Sequence, residues 1–271
     1  MIARALTIAG SDSGGGAGIQ QDLKTFQALG VWGMSAITAV TVQNTIGVSD
    51  FVELSPEIVA AQIEAVASDI GVDAAKTGML ANAAIVEAVA RAVRDAEIDR
   101  LVVDPVFVSK HGDPLLRPDA VDALRREILP LALLVTPNAH EAAVLAGVEV
   151  RSRSRQIEAA IAILALGSRA VLVKGGHVDG AQAVDVLATA DGVVEIAGPR
   201  IDSPNTHGTG CMLSAAITAG LAKGVDLETA VRDAKRFVTG AIEHALTLGK
   251  GIGPVNPSWR VFANGSVSDE A

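Results

Sequence analysis

A chain of 271 residues is long enough for two small domains, yet layered α/β folds reach this length as one unit, and 49% hydrophobic against 20% charged residues excludes a disordered chain. A net charge of −9, no tyrosine and 3% aromatic residues leave neither a basic footprint nor stacking platforms, which excludes nucleic acid as the expected partner. The single cysteine, Cys211, excludes an intramolecular disulfide and a cysteine-rich zinc site and fits a reducing compartment, so a cytoplasmic protein is expected.

The first apolar run, residues 5–9, is too short for a signal-peptide core or a membrane span and reads as a buried strand. It runs into the glycine-rich stretch 10–18, after which 19–29 has helical character. Residues 35–42 are β-rich. Ser55 and Pro56 then supply an N-cap and a first-turn proline for a helix carrying Ile58, Val59, Ile63 and Val66. A short strand is expected at 74–77, and Asn82 caps a helix with Ile85, Val86, Val89 and Val93 on one face. The run 101–103 ends at Asp104-Pro105. A helix over 120–128, a strand over 133–136, helices over 138–146 and 156–166 and a strand over 170–173 continue the alternation. Repeated β-α units predict a mostly parallel sheet covered on both faces, with ligands beyond the carboxyl ends of its strands. The turn dipeptide Asp191-Gly192 between 182–187 and 193–196 predicts an antiparallel hairpin at an edge. Helices over 211–223 and 227–246 close the fold. No linker divides residues 1–263, expected to form one domain, and 264–271 reads as a frayed tail.

The strongest local signal is NTHGTGC (205–211), immediately before a helix rich in small residues. Glycines there bring backbone N–H groups together at a helix N-terminus, where they can receive a transferring phosphoryl group. The same glycines also suit an ordinary turn opening a buried helix, and spacing alone leaves both readings open. The N-terminal glycine run does not make a dinucleotide site, because 31–49 lacks the acidic residue such a fold places after its second strand. A Walker loop is also absent, since Gly249-Lys250 is followed by Gly251. Asp104, Asn138, Glu141 and Lys174 each follow a predicted strand. Each alone reads as readily as a solvated loop charge or a helix cap. Together on one rim, a lysine and carboxylates are what phosphoryl transfer requires.

In order along the chain stand AGSDSGGGAGIQQDL (9–23), TAVTVQNTIG (38–47), KTGML (76–80), Asp104-Pro105-Val106, VKGGH (173–177) and NTHGTGC. This series resembles the hydroxymethylpyrimidine/phosphomethylpyrimidine kinases of thiamine biosynthesis, within the ribokinase-like superfamily, over essentially the whole chain. The resemblance implies a three-layer α/β/α fold, ATP with Mg²⁺, phosphorylation of the hydroxymethyl group and then of the monophosphate, and a homodimer. By position it implies that Gln43 reads the aminopyrimidine edge while Asp22, Gly10, Ala17 and Met79 shape the substrate pocket. It places Lys174, Asn138, Glu141 and Gly208 on the nucleotide, Asp104 and Glu141 in the magnesium network, and Gly208, Thr209, Gly210 and Cys211 around the transferring phosphate.

Cys211 stands where many ribokinase-like enzymes carry an aspartate. A thiol at a helix N-terminus is expected to favour its thiolate, suiting a proton acceptor or a polariser of the substrate hydroxyl; a small buried thiol chosen for size is the plainer reading. The chain departs from the family pattern at Ser13 and Gly14, Phe107, Met212 and Asn256-Pro257, of which Phe107 and Met212 are expected to line or support the pocket. His111 and His140 read as surface residues. Two alternatives stand beside the pyrimidine kinase: a pyridoxal kinase, disfavoured by Gln43, and a non-catalytic pyrimidine-binding regulator.

Overall fold

A computed structural model describes residues 1–108, 112, 117–176 and 180–263. The expected tail at 264–271, His111 and His177 lie outside the described residues. Apolar runs that read as strands become strands with both faces covered. β1 (Arg4–Ser11) is buried from Ala5 to Gly10, and β4 (Ala74–Thr77), β5 (Leu101–Val103), β6 (Leu134–Val135) and β7 (Ala170–Val173) are buried throughout. With β2 (Trp32–Gln43), β3 (Val48–Glu53), β8 (Gln182–Thr189) and β9 (Gly192–Pro199) they form one nine-stranded sheet, in the order β3-β2-β1-β4-β5-β6-β7-β8-β9. The core strands β2, β1, β4, β5, β6 and β7 are parallel, and β3, β8 and β9 join antiparallel at the two edges.

The order reverses at β1, with β2 on one side and β4 on the other. That is the switch point where open α/β sheets leave a crevice. Helices α1 (Gly18–Ala28), α7 (Thr209–Ala222) and α8 (Leu227–Glu243) pack on one face through Phe26, Ile217, Val231 and Phe237. The other face carries α2 (Pro56–Asp69), α3 (Ala83–Asp95), α4 (Pro118–Ala123), α5 (Ala139–Ala146) and α6 (Arg153–Leu164), through Ile63, Ile85, Leu145 and Ile163. The fold is the expected three-layer α/β/α arrangement with a mostly parallel central sheet.

Local capping follows the sequence. The Ser55 hydroxyl accepts from the Ile58 N–H ahead of Pro56, and the Asn82 side chain accepts from the Ile85 N–H. Three elements differ from expectation. β3 was not foreseen, because VSDFVE mixes exposed polar and apolar positions and takes its shape from pairing with β2. The helix expected over 120–128 begins at Pro118 and loosens into a wide turn over Leu124–Ile128 and a tight one over Leu129–Leu131, where Pro130 cannot donate to a continuing helix. A short α9 (Trp259–Ala263) brings the Trp259 ring beside Phe237 and His244. No helix among the described residues is long and apolar enough to cross a membrane.

Candidate active site

The carboxyl ends of the parallel strands and the start of α7 enclose a cavity of about 700 Å³. β1 delivers Gly10 to it, β2 delivers Gln43, the segment after β4 delivers Met79, and Asp104 follows β5. Asn138 and Glu141 enter from the turn after β6, Lys174 follows β7, and Gly208, Thr209, Gly210 and Cys211 come from the start of α7; Ala17 closes the glycine loop. Asp22, the remaining residue expected at the site, does not line the cavity. It is fully buried on α1 behind the floor.

One end is electrostatic. The Lys174 Nζ lies 3.1 Å from Asp104 Oδ1 and 3.8 Å from Glu141 Oε2. Asp104 also accepts from Ser214 Oγ at 3.3 Å and Thr136 Oγ1 at 3.3 Å. Burial would raise the Asp104 carboxyl, but Lys174 and Lys76 outweigh it and hold the group below the usual carboxylate range. For Glu141, burial prevails: it is pushed up to about 7, with Asp104 adding to the rise and Lys174 opposing it. Burial would lower Lys174, yet Asp104 and Glu141 raise it, so it stays charged. Asn138 and Glu141 also form a capping box on α5, with the Glu141 N–H donating to Asn138 Oδ1 at 3.0 Å and the Asn138 N–H to Glu141 Oε2 at 2.7 Å. The cap and the site readings of Asn138 and Glu141 are therefore compatible.

α7 begins at Gly208 with φ +81°, and among the described residues no side chain caps it. A Cβ at Gly208 would sit 1.8 Å from the Gly16 carbonyl oxygen, so no other residue fits. The glycine loop and the start of α7 thus touch, and a buried pair fastens them: His207 Nε2 lies 2.9 Å from Asp12 Oδ2. Asp12 accepts in addition from the N–H groups of Gly14, Gly16 and Ala17. Burial would raise the Asp12 carboxyl; these donors and His207 bring it below its ordinary value.

A second lysine forms part of the floor. Lys76 is completely buried, and its ammonium donates to Asp22 Oδ2 at 3.0 Å and Oδ1 at 3.3 Å, while Thr7 Oγ1 donates to Asp22 Oδ2 at 2.7 Å. Burial disfavours the charge on Lys76, but Asp22 and Asp104 outweigh it and the pKa is raised. For Asp22, burial leaves the carboxyl above its ordinary value despite Lys76 and Thr7.

Cys211 corrects one expectation. The helix N-terminus does not produce a thiolate here: burial, together with Asp22 and Asp104, pushes the thiol up to about 12 against the opposing pull of Lys76. The resting group is a neutral S–H.

The opposite end is less charged. Gln43 ends β2, and its Oε1 lies 3.2 Å from the Thr41 hydroxyl. Ser13, one of the departures from the family pattern, exchanges two bonds with the Gln43 main chain: its Oγ donates to the carbonyl at 2.7 Å and accepts from the N–H at 2.9 Å. Met79 lines the wall here. Phe107 and Met212 do not line the cavity; both are buried in the two apolar layers behind it. His140 is exposed at the mouth.

Sequence reading missed the roles of Lys76, Asp12 and His207, although all three stand in quoted motifs. Lys76 carried a signal, since it interrupts a four-residue strand that is otherwise Ala and Thr in the middle of a parallel sheet. Asp22 carried one too, lying three residues after Ile19 and four before Phe26 on the buried stripe of α1. Two buried charges on neighbouring elements imply each other.

Among the described residues no three His, Cys, Asp or Glu side chains cluster as a metal cage. The oxygens of Asp104 and Glu141 nonetheless suit a hard cation that keeps most of its water, the way magnesium is held beside phosphates.

The family model described as phosphomethylpyrimidine kinase matches residues 12–256. The chain is 52% identical over 254 residues to a hydroxymethylpyrimidine/phosphomethylpyrimidine kinase of Streptomyces coelicolor, covering 94% of each. Among solved structures it is similar to an ADP complex of a Bacillus subtilis pyridoxal kinase, with a TM-score of 0.90 at 40% identity, covering 97% of this chain and 100% of that one. A phosphomethylpyrimidine kinase of Clostridium difficile gives a TM-score of 0.79 at 42% identity, covering 89% and 99%.

Proposed function

This chain belongs to the phosphomethylpyrimidine kinase family and is a phosphotransferase of thiamine biosynthesis, and from that premise we propose how its cavity divides the work. It phosphorylates hydroxymethylpyrimidine and then the monophosphate, with ATP as donor. The observation that carries the division is the polarity of the cavity. Lys174 and the uncapped start of α7 stand at one end and Gln43 with Met79 at the other, so a small heterocycle between them has its exocyclic carbon facing the charged end.

In this reading Gln43 holds the aminopyrimidine edge, its amide offering both a donor and an acceptor, and Met79, Gly10 and Ala17 wall the ring. Asp22 acts from behind by fixing Lys76. Lys174 meets the phosphate oxygens as a fixed cation, and the N–H groups at Gly208, Thr209 and Gly210 receive the negative charge of the phosphoryl group in flight. Asn138 orients Glu141 through the capping box. Asp104 and Glu141 are the residues that would hold Mg²⁺, which when bound supplies charge neutralisation on the transferred phosphate. Cys211, neutral at rest, accepts the substrate O–H on its sulfur and so orients and weakly polarises the hydroxyl. Since phosphoryl transfer asks little of a base, this help is modest.

Residues 1–263 acting as one catalytic unit is part of this reading, supported by the unbroken sheet. So is a cytoplasmic setting, supported by the free thiol of Cys211. A homodimer is proposed as well, supported by the exposed Val40, Val42, Ile46 and Val52 on the β2–β3 hairpin, where Val40 pairs with Val52. Neither a membrane nor nucleic acid enters this reading as a partner.

The testing experiment is ADP release with Mg-ATP, offering hydroxymethylpyrimidine, its monophosphate and pyridoxal in parallel. Turnover of the first two is expected. Turnover of pyridoxal alone transfers the reading to a vitamin B6 kinase, and silence from folded protein that still binds the pyrimidine transfers it to a binding regulator.

A further inference from the structure

The turn that carries Lys174 is held by a group that the division of labour above does not use. Asp185 on β8 is buried, and its two carboxylate oxygens are spent on different elements. Oδ1 accepts from the Gly175 N–H at 2.8 Å, and Oδ2 accepts from the Lys235 ammonium of α8 at 2.6 Å. On the other side of the same turn the Lys174 N–H donates to the Pro137 carbonyl at 2.8 Å. A Cβ at Gly175 would lie 1.9 Å from the Val184 carbonyl oxygen, so the turn is pressed directly against β8. The main chain at 174–175 is therefore clamped between the β6 side and the β8 side.

We propose that Asp185 is a positioning residue for phosphoryl transfer: anchored by Lys235, it fixes the turn so that the Lys174 ammonium is held between Asp104 and Glu141. Only a carboxylate serves both donors, because an amide in its place presents N–H to one of them. The inference rests on the reading of Lys174 as the phosphate contact. Displacing a phosphate-handling cation by about an ångström costs turnover far more than it costs ground-state binding. Asp185 and Lys235 both line the cavity wall, near Val238 and Thr239, so direct contact of either with the nucleotide is the rival account that the test must separate.

The test is steady-state kinetics at varied Mg-ATP for Asp185→Ala, Asp185→Asn, Lys235→Met, the double variant Asp185→Ala/Lys235→Met and Lys174→Met, with pyrimidine binding by calorimetry as a check of the intact opposite end. Positioning predicts that Asp185→Ala lowers kcat roughly thirtyfold while KM for ATP moves less than about threefold. Asp185→Asn, which keeps one acceptor for Gly175, recovers part of the loss, and the double variant is no slower than Asp185→Ala because both residues act through one turn. Should Asp185→Ala fold poorly, Asp185→Asn shows the same split at smaller amplitude. Wild-type kcat in Asp185→Ala beside a disabled Lys174→Met overturns the inference alone. A large rise in KM for ATP with Lys235→Met, additive in the double variant, overturns it in favour of direct contact. Full turnover by Lys174→Met overturns the underlying reading and the inference with it.

Discussion

Two lysines meet the cavity floor, and they live under different rules. Lys76 is sealed, with both it and Asp22 fully out of solvent and a third group, Thr7, completing the carboxylate. Lys174 is tied to Asp104 at 3.1 Å and to Glu141 only loosely at 3.8 Å, and part of its side chain remains open to the cavity. A sealed ammonium already matched to a carboxylate has little left for a ligand. An ammonium between two carboxylates, with an open side and a neighbouring uncapped helix start, is ready to exchange partners when phosphate arrives. In the proposed reading the same residue type thus serves the fold at one position and the reaction at the other.

The widest way to break this comparison is Lys76→Met. It leaves Asp22 buried without its counter-charge, and the stability read from urea unfolding should fall by about 3–5 kcal/mol. Adding Asp22→Asn removes the stranded charge and should recover most of the loss. If Lys76→Met unfolds like the parent, the sealed pair is not a structural element.

Cys211 sharpens the contrast because it faces both lysines. Cys211→Ala should lower kcat about tenfold without abolishing it, the modest share expected where the transition state is loose. The raised thiol gives this a pH sign: the thiolate, the form favoured by high pH, should stay absent through neutrality, and ultraviolet titration should show none up to about pH 10. A thiolate midpoint near pH 8 would restore the helix-dipole expectation. The smallest effect belongs to the far end of the cavity. Ser13→Ala removes both bonds to the Gln43 main chain and should raise KM for the pyrimidine about fivefold with kcat little changed, as steady-state kinetics would show.

Much of the frame was legible because β1, β5 and β7 announce themselves as apolar runs cut short by Gly10, Asp104 and Lys174, and those stops line the cavity. Ser55-Pro56, Asn82 and Asp191-Gly192 marked their helix starts and hairpin correctly, since capping and turn chemistry are local. What stayed hidden depends on contacts distant in the chain. β3 has no pattern of its own and exists as the partner of β2. The Lys76–Asp22 pair joins residues 54 positions apart, and the Asp12–His207 pair joins residues 195 apart. Cys211 misled for the same reason: its helix position is local, while the carboxylates that raise it arrive from α1 and from the end of β5.

The most direct test is turnover and urea unfolding of Lys174→Met measured on the same preparation. The account predicts a kcat lower by about 10²–10³ with a loss of stability of at most about 2 kcal/mol, because water from the cavity can replace the ammonium beside Asp104. A variant that turns over normally, or one that fails only because it unfolds as Lys76→Met is expected to, would contradict the assignment of Lys174 to the reaction and Lys76 to the fold.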